Sequence, residues 1–356
     1  MSPQPTRPSL TIGGTEVGPD HPPFVVAEMS GNHDGSLDKA LEIVRMAADA
    51  GAHAVKLQTY TADTITLDVD TPDFRLSADH PLWGSRRLYD LYDEAHTPWE
   101  WHEPVFELAR ERGILAFSSP FDPTAVSFLA DLDVPAYKIA SSEIVDLPLV
   151  RTAAAVGRPM VISTGMASLG EVAAAVDAAR SVGNDQIVLL SATVSYPADP
   201  SASNLRGLPV LQSAFEVPVG LSDHTMGIGA AVASVAFGAC VIEKHVTMSR
   251  DEGGVDSAFS LEPAELAALV RESRTAWQAL GVPRIGAREV EREGLRFRRS
   301  LWVTQDVRAG DVVSAENVRS VRPAGGLAPD DFGALDGRRF ARDTAKGTRM
   351  SWDLVT

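Results

Sequence analysis

The stretch "ACVIEKHVTM" (residues 239–248) joins an apolar run to three consecutive polar side chains. Its first half is small or β-branched, which is typical of a buried strand. The strand then delivers an acid, an amine and an imidazole, Glu243, Lys244 and His245, and burying such groups without partners is costly. A second apolar run, "VPVGLSDHTMG", ends in the same way, with a serine, an aspartate and His224. Two strands that each end in a histidine predict a site rather than a chance arrangement.

Eight apolar runs of this kind recur along the chain, and helical patterns follow nearly all of them. Their near-continuous apolar character indicates a parallel sheet covered on both faces. Eight βα units in roughly 260 residues are typical of a TIM barrel. A doubly wound sheet usually has a glycine-rich first turn, and "SGNHDG" does not match it. We therefore predict the α/β class and a (β/α)8 TIM barrel with strands over residues 24–28, 53–58, 114–119, 136–141, 159–164, 186–192, 217–222 and 240–246.

The composition changes near residue 283. The segment "RIGAREVEREGLRFRR" is highly charged, and from residue 300 the pattern becomes short strands separated by turns. We predict a catalytic barrel domain over residues 1–282, a linker over 283–299 and a small β-rich domain over 300–356.

The charge balance excludes some classes of partner. With 32 basic against 48 acidic residues, the net charge of −16 argues against a general nucleic-acid binder, although a local cationic pocket can still bind an anionic small molecule. The single cysteine, Cys240, excludes an internal disulfide framework and fits a reducing compartment. The N-terminus lacks a signal-peptide pattern, and no run reaches the ~20 apolar residues of a membrane helix. We expect a cytoplasmic protein that contacts neither membrane nor nucleic acid.

In a barrel of this kind the chemistry lies at the carboxyl ends of the strands. Lys56 and Lys138 end two of them, and amines inside a barrel need an anion, for which phosphate or carboxylate is the natural partner. Lys244 alternates with His245 along its strand, so we expect it to point outward, toward the helices or their solvent edge. The full set of polar residues at or just after the strand ends includes Glu28, Lys56, Gln58, Ser118, Ser119, Lys138, Ser141, Glu143, Ser163, Thr164, Thr193, Tyr196, Ser222, Asp223, His224, Lys244 and His245.

The two histidines indicate a metal. A single histidine at a strand end is more often a hydrogen-bonded structural residue, but neighbouring parallel strands lie only about 4.8 Å apart. Two imidazoles there suit a divalent ion with open coordination positions. Together with Glu28 as an acid for proton transfer, this set suits addition of a phosphorylated nucleophile to a metal-polarised carbonyl.

Seven motifs in this order resemble the sialic acid synthase (nonulosonate synthase) family: "AEMSGNHDGSLDKA", "AVKLQTY", "FSSPFD", "YKIASSE", "STGM", "GLSDHT" and "EKHVT". Members of that family condense phosphoenolpyruvate with an N-acetylated aminosugar. The tail "RRSLWVTQDVRAGDVVSAENVRSVRP" resembles the family's antifreeze-like SAF domain, so the resemblance covers the whole chain. Within the family, "LYDEAHTPWEWHEPVFE" is more similar to the pseudaminic acid synthase branch than to the neuraminate branch.

The resemblance implies roles for individual residues. It implies a carbon–carbon bond-forming transferase in which His224 and His245 hold manganese or magnesium and Glu28 handles protons. Arg322 would reach the active site of the other subunit of a domain-swapped homodimer. Phosphoenolpyruvate would be bound by Lys56, Lys138, Ser141, Ser163 and Ser222, and the sugar by Gln58, Tyr196 and Asp256.

One departure from the family pattern concerns the acceptor. The stretch "SATVSYP" has Ala192 where the family has a cysteine and Val194 where a polar residue is common, which leaves the chemistry intact and puts the exact sugar in question. A sialic or legionaminic acid synthase, or a synthase of a high-carbon sugar for a secondary metabolite, remains an alternative. So do a Schiff-base aldolase that uses Lys56 or Lys138 and a non-catalytic carbohydrate-binding protein.

Overall fold

A computed structural model describes residues 8–79 and 82–356 and divides the chain into two units, Met1–Gly281 and Val282–Thr356. The first unit opens with an antiparallel hairpin that the sequence analysis did not predict, β1 (Leu10–Ile12) and β2 (Thr15–Val17). Its turn is Gly13-Gly14, and both glycines adopt the positive φ that glycine tolerates without strain.

Eight parallel strands follow. They pair in chain order, and the last pairs with the first to close a barrel, which confirms the TIM-barrel prediction. Nearly every residue of these strands is buried, as expected for a sheet covered by helices outside and side chains inside. The strands are β3 (Phe24–Glu28), β4 (Ala54–Thr59), β5 (Leu115–Pro120), β6 (Tyr137–Ile139), β7 (Met160–Ser163), β8 (Ile187–Ala192), β9 (Val219–Asp223) and β10 (Ala239–His245).

Helices cover the outside of the barrel, and local signals explain several of their starts. The side chains of Ser36, Asp122 and Ser168 each accept a hydrogen bond from the first turn of the helix that follows. The helices are α1 (Leu37–Asp49), α2 (Ala62–Ile65), α3 (Leu88–Ala95), α4 (His102–Glu111), α5 (Pro123–Asp131), α6 (Leu147–Ala155), α7 (Leu169–Arg180), α8 (Leu208–Phe215), α9 (Gly229–Ser234) and α10 (Pro263–Leu280). Helix α8 was not predicted from the sequence, because a single short apolar stretch has no clear helical period.

Strands β9 and β10 approach each other unusually closely. A Cβ atom on Gly220 would lie 2.3 Å from the carbonyl oxygen of Val241, so only glycine fits there. In the ladder, Ser222 pairs with Glu243 and Asp223 pairs with Lys244. The polar ends of the two strands are therefore set side by side.

The second unit has its own small core. Its two strands, β11 (Ser300–Val303) and β12 (Val318–Val321), pair antiparallel, and a short helix, α11 (Phe332–Leu335), follows. Two 3-10 helices, Glu289–Glu291 and Glu293–Phe297, occupy the segment predicted as a linker. In neither unit does the described chain contain a helix long and apolar enough to cross a membrane.

Candidate active site

The carboxyl ends of the barrel strands surround a cavity of about 280 Å³. Ten of the twelve predicted site residues line it: Glu28, Lys56, Gln58, Lys138, Ser141, Ser163, Tyr196, Ser222, His224 and His245. A larger groove, about 910 Å³, opens near the start of β10 at the other end of the barrel, and proline and apolar side chains form most of its wall. In TIM-barrel enzymes the chemistry lies at the carboxyl ends of the strands, so we take the smaller cavity as the site.

Strand register places a carboxyl group, an amine and an imidazole in one row across three strands. His245, Glu28 and Lys56 are direct partners across β10, β3 and β4. Glu28 and Lys56 form an ion pair, and both side chains are almost completely buried. Burial raises the pKa of Glu28 to about 7, although Lys56 opposes this effect. A carboxyl group with that pKa can give or take a proton near neutral pH.

Glu243 lies between the buried side chains of Lys56 and Lys138, and the sequence pattern assigned it no role. One of its carboxylate oxygens accepts a hydrogen bond of 2.8 Å from Ser222 and lies 3.6 Å from Nζ of Lys138. The other oxygen lies 3.9 Å from Nζ of Lys56. Burial acts to raise the pKa of Glu243, but the two lysines and the serine outweigh it and keep the pKa below its usual value. The period of two along β10 is the signal that could have found it, since Glu243 must share a face with His245.

The lysines also contact hydroxyl groups on neighbouring strands. Lys138 donates to Ser163 at 2.7 Å, and Lys56 donates to Ser119 at 3.2 Å. Burial lowers the pKa of Lys138, while the carboxylates of Glu243 and Glu28 oppose this effect. Two ammonium groups beside hydroxyl donors form a pocket suited to an anion with several oxygens.

The two histidines are neighbours, with ring centroids 5.4 Å apart. Nδ1 of His224 donates to the carbonyl oxygen of Thr193 at 2.8 Å, which leaves Nε2 without a proton in the neutral ring. Burial lowers the pKa of both histidines, so both are neutral and can act as ligands. Nδ1 of His245 is buried without a hydrogen bond to the described residues.

These features fit a metal bound by two imidazoles. Residues 8–79 and 82–356 contain no group of three or more histidine, cysteine, aspartate or glutamate side chains placed to hold an ion. An ion held by two protein ligands keeps its remaining positions open for water or substrate.

Asp256 and Arg322 do not line the cavity. Asp256 is buried beside it, and its Oδ2 atom lies 3.7 Å from Nδ1 of His245. Burial raises the pKa of Asp256 to about 6. Arg322 belongs to the second unit, where it is exposed and lines a groove of about 390 Å³ with Trp302, Arg319 and Lys346 among other residues.

Lys244 points away from the cavity, but it does not reach a solvent edge. Its side chain is fully buried, and Nζ lies 2.7 Å from Oδ2 of Asp223 and also donates to the carbonyl oxygen of Thr225. This ion pair ties β9 to β10 behind the two histidines. The charged end of β10 therefore has two faces. Glu243 and His245 line the cavity, whereas Lys244 points to the outside of the barrel and pairs with Asp223.

Aromatic and aliphatic side chains form one wall of the cavity. Tyr60 makes edge-to-face contacts with Tyr92 and Phe121, at centroid distances of 5.8 and 5.1 Å. Ile65 and Val194 also line the cavity. This wall was not predicted from the sequence, because aromatic residues near a helix start are more often explained by local packing.

Comparisons with known proteins agree with the geometry. The NeuB family model matches residues 43–284, and the SAF domain model matches residues 298–356. The chain belongs to the NeuB family.

Two similar proteins are named pseudaminic acid synthase. The one from Campylobacter jejuni is 42% identical over 92% of this chain and 95% of its own length. The one from Helicobacter pylori is 37% identical over 94% of this chain and 98% of its own length. The crystal structure of N-acetylneuraminic acid (sialic acid) synthetase from Leptospira borgpetersenii in complex with citrate superposes with a TM-score of 0.72 and 32% identity, over 82% of this chain and 96% of that one.

Proposed function

We propose that this NeuB-family chain is a synthase of the pseudaminic acid type. It condenses phosphoenolpyruvate with an N-acylated aminosugar aldehyde and yields a nine-carbon 2-keto acid and phosphate. The relatives named pseudaminic acid synthase, at 42% and 37% identity over nearly their full lengths, support this assignment.

One observation supports the chemistry above all others. Two buried lysines, Lys56 and Lys138, lie within one cavity with two neutral imidazoles and a carboxyl group whose pKa is about 7. The lysines match an anionic cosubstrate, the imidazoles can hold a metal that polarises a carbonyl oxygen, and the carboxyl group can transfer a proton. We assign phosphoenolpyruvate to the subsite that contains Lys56, Lys138, Ser141, Ser163 and Ser222.

The reaction needs no covalent intermediate with the protein. C3 of phosphoenolpyruvate attacks the aldehyde carbon, and the π electrons of the enol form the new carbon–carbon bond. Water adds to the cation left at C2. The tetrahedral intermediate then expels phosphate, which takes up the remaining proton of the added water as the hydroxyl group becomes the keto group. Because the enol is already present in the cosubstrate, an imine on Lys138 or Lys56 is unnecessary.

Glu28 is the group we assign to proton transfer. The added water loses a proton, and the former aldehyde oxygen gains one. A carboxyl group with a pKa of about 7 is populated in both forms and can serve both steps. The ion pair with Lys56 holds it in place.

We assign the divalent ion, manganese or magnesium, to His224 and His245. Bound there, it would supply Lewis-acid polarisation of the aldehyde oxygen. Gln58, Tyr196 and Asp256 are assigned to the sugar. Arg322 is assigned to the active site of a second subunit in a domain-swapped homodimer. The cytoplasmic location stays a prediction.

A phosphate-release screen tests the proposal. The purified chain is incubated with phosphoenolpyruvate, a divalent ion and each of a panel of N-acylated aminosugars, and the products are identified by mass spectrometry. We expect release of one phosphate for each nine-carbon 2-keto acid formed. Absence of phosphate release with every aminosugar, at saturating cosubstrate and metal, would overturn the proposal.

A further inference from the structure

Ser30 has a backbone conformation that normally favours glycine. It lies just after β3 with φ of 47°, and it is 5% exposed. A residue with a Cβ atom is strained in this left-handed region, whereas glycine adopts it freely. The strain is tolerated here beside the cavity, so the question is what the side chain does.

The hydroxyl group of Ser30 joins side chains from three different segments. It donates to Oδ2 of Asp256, in the loop after β10. It accepts a hydrogen bond of 3.1 Å from Nε2 of Gln58, at the end of β4. The same amide nitrogen donates to Glu28 at 3.0 Å, so its two hydrogens are both used.

The loops do not depend on this hydroxyl group for their docking. The side-chain amide of Asn32 donates to the carbonyl oxygen of Val246 and to the hydroxyl group of Ser260, both at 2.8 Å. Its carbonyl oxygen accepts from the backbone N–H of Asp256 at 3.2 Å. These bonds hold the backbone of the two loops together. The bonds of Ser30 instead connect the side chain of Gln58, which lines the cavity, with that of Asp256, which is buried beside it.

We propose that Ser30 is a positioning residue of the acceptor subsite, because its hydroxyl group sets the Asp256 carboxylate, the Gln58 amide and, through that amide, Glu28 in one fixed arrangement. The inference rests on the proposed function in assigning Gln58 and Asp256 to the sugar. We assign phosphoenolpyruvate to a different set of side chains, and the hydroxyl group of Ser30 bonds to none of them: Lys56, Lys138, Ser141, Ser163 and Ser222. Loss of the hydroxyl group therefore affects the acceptor and not the cosubstrate.

Two substitutions separate the hydroxyl group from the backbone. Ser30→Ala removes the hydroxyl group and keeps the strained backbone, whereas Ser30→Gly removes both. We expect both variants to raise KM for the acceptor about tenfold or more, as for loss of a hydrogen bond to a charged group. KM for phosphoenolpyruvate should stay within about twofold of the wild-type value.

The matched control is Glu216→Gly. Glu216 is exposed, has φ of 54° and lies at the end of α8, next to the groove at the other end of the barrel. Glu216→Gly should leave KM for the acceptor and KM for phosphoenolpyruvate unchanged. If Ser30→Gly keeps wild-type kinetics while Ser30→Ala does not, backbone geometry is responsible and the inference is wrong. It is equally wrong if both variants impair phosphoenolpyruvate and acceptor alike.

A double-mutant cycle makes the test independent of activity. Ser30→Ala and Asp256→Ala are made singly and together, and their unfolding midpoints are compared in the absence of substrates. We expect a non-additive effect, since the second change removes a bond already lost. Additive effects would overturn the coupling between Ser30 and Asp256. A wild-type chain that releases no phosphate would instead overturn the proposed function, and the cycle would still decide the coupling.

Discussion

Replacement of Glu243 by glutamine tests whether this carboxylate compensates the two buried lysines. Glutamine keeps the size of the side chain and can still accept the hydrogen bond from Ser222, but it removes the charge. The carboxylate lies 3.6 Å from Nζ of Lys138 and 3.9 Å from Nζ of Lys56. At an effective dielectric constant of ~20, each contact is an attraction of roughly 4–5 kcal/mol. The cost of burying the charges offsets most of this sum.

We therefore expect Glu243→Gln to lower the free energy of unfolding of the barrel by about 3–5 kcal/mol, the usual effect of removing one partner from a buried ion cluster. Urea unfolding monitored by circular dichroism gives this value. A second measurement adds phosphoenolpyruvate. Because the anion supplies the missing negative charge, it should stabilise the variant more than the wild type.

The control for this experiment is Glu272→Gln, which removes the charge from an exposed pair with Arg271 at 2.8 Å. An exposed ion pair contributes less than about 1 kcal/mol. If Glu243→Gln is no more costly than this control, the carboxylate does not hold the two lysines in their charged form. An equal effect of phosphoenolpyruvate on variant and wild type would refute the same reasoning.

Three further predictions concern the proposed chemistry. Glu28→Gln should lower kcat by about 100-fold or more, with smaller changes in KM, as expected for loss of a general acid or base; an unchanged kcat with a raised KM would make Glu28 a binding residue. His224→Ala and His245→Ala should lose bound metal and activity together while circular dichroism shows an intact fold, and full activity of a thoroughly chelated wild type would contradict the assignment. Mixing Arg322→Ala chains with Glu28→Gln chains should restore activity through one intact shared site; if subunit exchange is demonstrated and no activity returns, the site lies within one chain.

Eight recurring, near-continuous apolar runs predicted the barrel, because a strand covered on both faces must be apolar along its length. The same reasoning failed where the local signal was weak. The hairpin β1–β2 and helix α8 are short, and each depends on contacts with the barrel for its stability. The alternation along β10 correctly directed Lys244 away from His245. The alternation did not show that the buried ammonium group of Lys244 forms an ion pair with Asp223, since that pairing depends on the neighbouring strand, β9.

The sequence by itself determined which polar residues end the strands, and most of those predicted for the site do line the cavity. Their roles stay predictions. Only the tertiary structure decided which of them touch. The ion pair joins Glu28 and Lys56, which are 28 positions apart in the sequence. Glu243 lies 187 positions from Lys56 and 105 from Lys138, and the hydrogen bond from Ser30 to Asp256 spans 226 positions. Contacts at such separations follow from strand register and barrel closure, which a local pattern does not contain.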